Sequence, residues 1–269
     1  MKKLVTAFAA CMIAGLVSAQ VESQNVVGYN TVTIRNGYNM FSLNLDKVGD
    51  VDAGIVIQDL VPGTTTGLVK GTGSATADNI MVYDAVGKSY STYFLYYNAK
   101  TTTHGSNNKW CNAGTTNVST KSFANGESFW YLSRTNLNAQ VPFAGQVPFE
   151  ASKAATIYNG YNMIGGAFAA DWNANDLGST YWATCGAIKG TGSATADNIM
   201  VYDAAGKVYS TYFLYYNAKT TTHGSNNKWC NAGTTNVTTA VMMPLGQGAW
   251  YLCRTNTNWT LTLTKPYTL

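Results

Sequence analysis

The sequence predicts an all-β protein made of two tandem, homologous modules, each a β-sandwich or a small β-barrel. Two observations support this. One long segment occurs twice almost unchanged, and both copies contain short runs that can be assigned to strands with the side-chain period of two, joined by a turn that contains Asp and Gly. Thr, Val, Tyr and Asn dominate the chain, and these residues favour strands and turns over helices. One short helix is predicted, near residues 53–60.

The repeat is an internal duplication. Residues 70–118 and 189–237 align over 49 positions and differ only at Val86/Ala205 and Ser89/Val208. The flanks match more loosely, so the predicted modules are residues 20–147 and 148–269. Two explanations of the near-identical middle stay open: a recent gene conversion without functional meaning, or a surface that is useful when displayed twice.

Strands are predicted from alternation and turn residues. The opening pair covers 25–34 and 38–45, and a hairpin over 79–98 recurs at 198–217. The closing pair covers 127–133 and 140–147. Both faces of the segment 89–98 carry aromatic residues, which is expected of a strand that is covered on both sides or lines a contact surface.

The first 19 residues have the pattern of a signal peptide. Lys2 and Lys3 precede an apolar run over 4–17, and Ala19 ends a small-residue cleavage site. A lipoprotein signal at Cys11 is the weaker alternative, because it leaves a very short apolar core. No later stretch has the length of a membrane helix. The expected location is therefore extracellular, at the cell surface or periplasmic.

Charge argues against nucleic-acid binding. Only 11% of residues are charged, and two of the positive charges behind the formal net value of +4 are Lys2 and Lys3 of the predicted signal peptide. The remaining basic residues are scattered rather than clustered in a patch.

Four cysteines remain after the predicted cleavage, and an even number in an exported chain favours disulfides. Cys111 and Cys230 are repeat equivalents, whereas Cys185 and Cys253 have no counterparts in the first module. Pairing of Cys185 with Cys253, with Cys111 joined to Cys230, is one possibility. Another pairing within the second module, with Cys111 left to bridge modules or molecules, is the alternative.

Aromatic residues in a polar loop suggest ligand binding. Trp110 and Trp229 each follow Asn-Asn-Lys, where an exposed indole beside amides would form a platform for sugar stacking. The residues of the predicted sites are His104, Asn108, Trp110, His223, Asn227 and Trp229. Burial of each indole against its own core is the competing interpretation. Zinc held by the two His and two Cys of the loops is a weaker alternative, so no metal or cofactor is expected.

Catalytic motifs are scarce in this sequence. It contains neither a Gly-x-Ser-x-Gly nor a His-Glu-x-x-His motif. The remaining option is glycoside hydrolysis by carboxylate pairs, Asp78 with Asp84 and Asp197 with Asp203. Structural roles at turns and strand starts explain these residues better, so a non-enzyme is expected.

Short motifs along nearly the whole mature chain resemble those of a group of secreted bacterial repeat proteins. They are Asn-Val-Val-Gly-Tyr at 25–29, Gly-Tyr-Asn-Met-Phe-Ser at 37–42, Asn-Gly-Glu-Ser-Phe-Trp at 125–130 and Phe-Ala-Gly-Gln-Val at 143–147. Asn125 and Ser128 depart from the Pro-Gly-Glu-Gly-Phe-Phe-like pattern of that group. The resemblance implies an exported β-rich surface protein and supplies no catalytic residues.

Together these features predict a non-catalytic structural or adhesion protein of the extracellular space or cell surface. Its expected partners are further copies of itself or extracellular polysaccharide. A carbohydrate-binding protein with two repeated aromatic sites is the first alternative, and a glycoside hydrolase is the second.

Overall fold

The computed structural model describes residues 26–220, 222–239 and 241–268, and it confirms the all-β prediction. The predicted signal peptide, residues 1–19, lies outside the described residues. Below, the first copy means residues 26–147 and the second copy means residues 148–268.

The first copy forms strands β1 to β9 and the one-turn helix α1. Their bounds are β1 (Val27–Ile34), β2 (Gly37–Ser42), β3 (Ile55–Val56), α1 (Ile57–Leu60), β4 (Asn79–Asp84), β5 (Ser89–Tyr96), β6 (Lys109–Asn112), β7 (Ser122–Phe123), β8 (Ser128–Ser133) and β9 (Ala139–Gln146). The helix occupies the end of the predicted segment 53–60.

The second copy forms strands β10 to β16 and two short helices. Their bounds are β10 (Ser152–Ile157), β11 (Gly160–Gly165), a 3-10 helix (Ala174–Leu177), α2 (Gly178–Thr184), β12 (Asn198–Asp203), β13 (Val208–Tyr215), β14 (Lys228–Asn231), β15 (Gly248–Cys253) and β16 (Trp259–Thr264). Helix α2 was not predicted. It has no helical counterpart in the corresponding part of the first copy.

Each copy folds its middle strands into a five-stranded antiparallel sheet. The strand orders are β2-β8-β4-β5-β6 and β11-β15-β12-β13-β14, so corresponding strands occupy corresponding places. The first and last strands of each copy form a separate two-stranded ribbon, β1 with β9 and β10 with β16. Among the described strands neither five-stranded sheet closes on itself, so the small-barrel option is wrong for this chain.

The inner face of each sheet packs against the two-stranded ribbon of its own copy. In β9, Val141 and Phe143 are buried while Pro142 and Ala144 are exposed, as the period of two requires. The two inward residues join Phe41, Ile80, Tyr131 and others in one apolar core. An equivalent core forms in the second copy.

The outer faces of the two five-stranded sheets pack against each other. Tyr83 of β4 meets Trp250 of β15, with ring centroids 5.2 Å apart, and Tyr202 of β12 meets Trp130 of β8 at the same 5.2 Å. These pairs are repeat equivalents, so the contact is reciprocal, as across a twofold axis. Met40, with Met81, Met163 and Met200, completes this apolar cluster.

Equivalent residues meet each other at the centre of this contact, and there is space for only one side chain of each pair. Ser42 faces its counterpart Gly165, and Ser128 faces its counterpart Gly248. A Cβ on Gly165 would overlap Ser42 Cβ and lie 2.8 Å from Ser42 Oγ, and a Cβ on Gly248 would lie 2.8 Å from Ser128 Oγ. Serine in one copy and glycine in the other therefore fit where two serines would not.

Hydrogen bonds across the contact also depend on residues in which the copies differ. Asn44 Oδ1 accepts from Gly246 N at 2.8 Å, and Asn44 Nδ2 donates to Gly166 O. The side chain of Asp46 is fully buried, and its Oδ1 forms an ion pair with Lys153 Nζ at 2.9 Å. Both copies therefore form one packed unit within the described residues.

Substitution Gly165→Ala tests the packing at the centre. The added methyl group meets Ser42, and overpacking of this kind costs about 1–3 kcal/mol in unfolding free energy. Combining it with Ser42→Gly should recover a large part of the loss, measured by urea unfolding. Gly192→Ala, at a glycine with open space around its Cβ position, is the control. Additive effects of Gly165→Ala and Ser42→Gly would contradict the packing.

Candidate functional site

The predicted tryptophan platforms are wrong, because both indoles are buried. Trp110 and Trp229 are each 0% exposed. Trp110 Nε1 donates to the backbone oxygen of Val61 at 2.6 Å. Trp229 packs edge-on against Trp182 of α2, with ring centroids 5.1 Å apart. Neither ring offers a face on which a sugar could stack.

The other predicted loop residues stabilise their own loops. His104 lies against Tyr96, with ring centroids 5.1 Å apart, and its Nδ1 accepts from Ser106 N. His223 repeats both contacts with Tyr215 and Ser225.

Asn108 and Asn227 hold left-handed backbone conformations, with φ of 61° and 58°. Asn108 Oδ1 also accepts from Lys70 Nζ at 2.7 Å. In both loops the tryptophan beside these His and Asn residues is buried. The predicted aromatic platform therefore does not form.

The predicted disulfides are also wrong, since Cys111, Cys185, Cys230 and Cys253 are all free thiols. Cys111 and Cys230 are each buried in a separate small cluster of their own copy, which keeps them apart. The same separation excludes the zinc arrangement between copies. Among the described residues, no group of three or more His, Cys, Asp and Glu is placed to hold a metal ion.

The carboxylate pairs proposed for hydrolysis do not face one another. Asp78 is 0% exposed and precedes β4, whereas Asp84 ends that strand and is exposed. Six residues of strand separate them by roughly 20 Å. Asp78 accepts hydrogen bonds from Arg134 N at 2.7 Å, Tyr131 Oη at 2.8 Å and Val69 N at 3.0 Å. Its role is to tie strands and loops of one copy together.

Asp197 repeats this arrangement in the second copy. It accepts from Arg254 N at 2.7 Å, Tyr251 Oη at 2.8 Å and Ile188 N at 3.1 Å. Burial raises the pKa of both carboxyl groups, and the hydrogen bonds that they accept oppose this rise.

Asp78→Asn should lower the unfolding free energy by about 1–3 kcal/mol, because the amide nitrogen cannot accept the hydrogen bonds that the carboxylate accepts. The raised pKa has a second consequence. The folded state holds the proton to higher pH than the unfolded state, so the contribution of Asp78 to stability falls as pH rises through its folded pKa.

Urea unfolding between about pH 4 and about pH 7 measures both effects. The Asn variant should show a smaller fall in stability with pH than the wild type. Asp84→Asn, at an exposed position, is the control and should leave the unfolding free energy nearly unchanged, because the amide oxygen can still accept from Val86 N. An unchanged profile in Asp78→Asn would contradict a raised pKa.

Two groups of partly exposed aromatic residues lie along the rims of the contact between the sheets. One cleft, of about 210 Å³, is lined by Tyr38 and Trp130 of the first copy and Tyr202 and Tyr209 of the second. The outer two tyrosines are each 48% exposed, and Trp130, at 6%, forms the floor. We call this set of four residues cleft A.

The repeat equivalents of these residues form a matching set. Tyr161 lies edge-on against Trp250 at 5.8 Å, Trp250 against Tyr83 at 5.2 Å, and Tyr83 beside Tyr90 at 5.1 Å. Tyr161 is 48% and Tyr90 is 49% exposed. We call this second set cleft B. Each cleft requires both copies, because each combines two residues from either side of the contact.

The clefts offer flat apolar ring faces together with phenol hydroxyl groups. The hydroxyl groups of Tyr90 and Tyr209 are neutral at physiological pH, as any phenol with the ordinary pKa is, and burial raises the pKa of both further. Such surfaces bind ring-shaped or apolar partners while keeping polar contacts available. Trp130 and Trp250 lie in the middle of β8 and β15 and are buried. Their pairing with tyrosines of the other copy could not be read from either repeat alone.

Comparison with known proteins does not assign the chain to a family: no family model matches it, and neither a curated protein nor a solved structure does. The fold and site therefore define it only as an all-β protein in which two related five-stranded sheets pack face to face. Among its described helices, none has the length and apolar character needed to cross a membrane.

Proposed function

We propose that this chain is a non-catalytic exported protein that acts by contact, in adhesion or in the assembly of extracellular or cell-surface material. The signal-peptide pattern of residues 1–19 supports export, and the resemblance to secreted repeat proteins agrees with it. The two copies act as one contact unit, because the clefts exist only where they pack together.

The observation that carries the proposal is the presence of two equivalent aromatic clefts on one rigid unit. Four half-exposed tyrosines, Tyr38, Tyr90, Tyr161 and Tyr209, are displayed in two related pairs. Tyrosine is well suited to contact surfaces because its large ring loses little conformational freedom on binding. Two linked weak sites also gain avidity on a repetitive partner.

Further copies of the chain and extracellular polysaccharide are the two proposed kinds of partner. The carbohydrate alternative keeps its two repeated aromatic sites, but it uses the clefts rather than Trp110 and Trp229. Flat tyrosine faces stack on the apolar faces of sugar rings, and this chemistry supports that alternative.

Replacing the outer tyrosines tests the proposal. The double variant Tyr38→Ser with Tyr161→Ser removes one half-exposed ring from each cleft while leaving both tryptophans in place. It should reduce concentration-dependent association in light scattering and retention of the mature protein on cells. The matched control is Tyr97→Ser with Tyr216→Ser, a repeat-equivalent pair beyond β5 and β13, which should change neither.

A mature protein that stays monomeric at high concentration and never co-fractionates with cells or polysaccharide would contradict the proposal. So would equal loss of association in the cleft variant and the control variant, because the clefts would then have no special role.

A further inference from the structure

The two copies differ at a second place along their contact, and the difference leaves a cavity on one side only. In the first copy, the ribbon residues Asn30 and Val32 pack against Gly246 of the second copy. A Cβ on Gly246 would overlap Asn30 Nδ2 and lie 3.0 Å from Val32 Cγ1. Val32 is only 7% exposed. This side of the contact is therefore filled.

The repeat-equivalent position on the other side is open. Ala155 takes the place of Val32, and Lys153 takes the place of Asn30 and turns to Asp46. The turn that corresponds to Gly246 is at Gly126. A Cβ added at Gly126 would contact only Ala167, whose Cβ would lie 3.4 Å away. Ala155 is exposed. Smaller or diverted side chains thus create a cavity of about 330 Å³ between the copies.

The cavity walls combine aromatic and polar groups from both copies. Tyr83 and Tyr158 contribute rings, and Asp84, Asn125 and Glu127 contribute oxygen atoms. Tyr83 also belongs to cleft B, so the cavity opens beside that cleft. Its volume lies at the lower end of the range of about 300–1,000 Å³ that is typical of ligand pockets.

One polar group in this cavity lacks a partner. Asn125 Nδ2 donates to Asp46 Oδ1 at 2.9 Å, whereas Asn125 Oδ1 is buried and accepts no hydrogen bond within the described part of the chain. Because this oxygen has almost no accessible surface, a ligand in the cavity cannot reach it. The acceptor that a ligand hydroxyl can reach is the exposed carboxylate of Asp84, which also lines the cavity.

Charge in the cavity argues against an anionic ligand. Lys153 is already bound to Asp46 and Glu150, and Glu127 is bound to Lys121 at 2.6 Å. Asp84 adds a carboxylate without a basic side chain bound to it among the described ion pairs. The walls offer acceptors and ring faces rather than free cations, which suits a neutral molecule rich in hydroxyl groups.

We propose that this cavity binds one pyranose unit of a neutral glycan, with its apolar ring face on Tyr83 or Tyr158 and a hydroxyl donating to the carboxylate of Asp84. The inference rests on the proposed contact function and names the partner class of one site. Within the described part of the chain, Asn30 and Val32 fill the equivalent position on the other side, so the proposal concerns the position at Ala155 alone.

An array of neutral oligosaccharides ending in glucose, galactose, mannose or N-acetylglucosamine tests the proposal on the whole mature protein. Ala155→Val introduces the residue that the other copy carries and fills the cavity, so binding should weaken by at least about tenfold. Asp84→Asn keeps the oxygen that accepts from Val86 N but replaces the charged acceptor with a weaker neutral one, so it should weaken binding severalfold. The matched control is Ala205→Val, which also introduces the residue of the other copy but at an exposed turn outside the cavity, and it should leave binding unchanged.

Three outcomes would overturn the pocket: no glycan bound by the wild type, undiminished binding by Ala155→Val, or equal losses in Ala155→Val and Ala205→Val. Failure of the contact function looks different. In that case the Tyr38→Ser with Tyr161→Ser variant would keep its association and cell retention, while glycan binding would still depend on Ala155. Loss of glycan binding in Ala155→Val with retention on cells unchanged would support the pocket and place the cell contact elsewhere.

Discussion

Packing of the outer sheet faces against each other is the constraint on which the rest of the structure depends. Each sheet covers its inner face with its own ribbon, yet Met40, Trp130 and Trp250 would stand on an uncovered outer face without the other copy. Burial of these side chains drives the copies together. Close approach is possible because Ser42 meets Gly165, where two serines would overlap.

The two clefts and the cavity depend on which equivalent residues the copies share where their sheets meet. Where equivalent residues are retained, as for Tyr83 with Trp250 and Tyr202 with Trp130, two matching clefts form. Where they diverged, as at Val32 and Ala155, a cavity opens on one side only. Duplication thus supplied a repeated aromatic surface, and divergence opened a cavity at Ala155. The near-identical segments 70–118 and 189–237 include β4 and β12, whose residues Tyr83 and Tyr202 form part of the contact between the copies.

Strand positions were predictable because alternation and turn residues are local signals. The hairpin over 79–98 and the all-β class follow from them. The site was not predictable from the same signals. Whether Trp110 is exposed or packs into its own core depends on Val61, 49 residues away, whose carbonyl oxygen accepts a hydrogen bond from the indole N–H. The disulfide prediction failed for a related reason, since counting cysteines does not reveal that Cys111 and Cys230 are held in separate clusters. Trp130 and Trp250 are buried by the other copy rather than by their own, and the sequence of one repeat does not reveal this.

A double-mutant cycle between Tyr83 and Trp250 tests face-to-face packing most directly. Unfolding free energies of Tyr83→Ala, Trp250→Ala and the double variant give the coupling between two rings that lie in different copies. The account predicts a coupling of about 0.5–1.5 kcal/mol. Tyr83→Ala with Tyr97→Ala, two positions at opposite ends of one hairpin, should be additive. Additivity of Tyr83→Ala with Trp250→Ala would show that the two sheets do not meet through these faces.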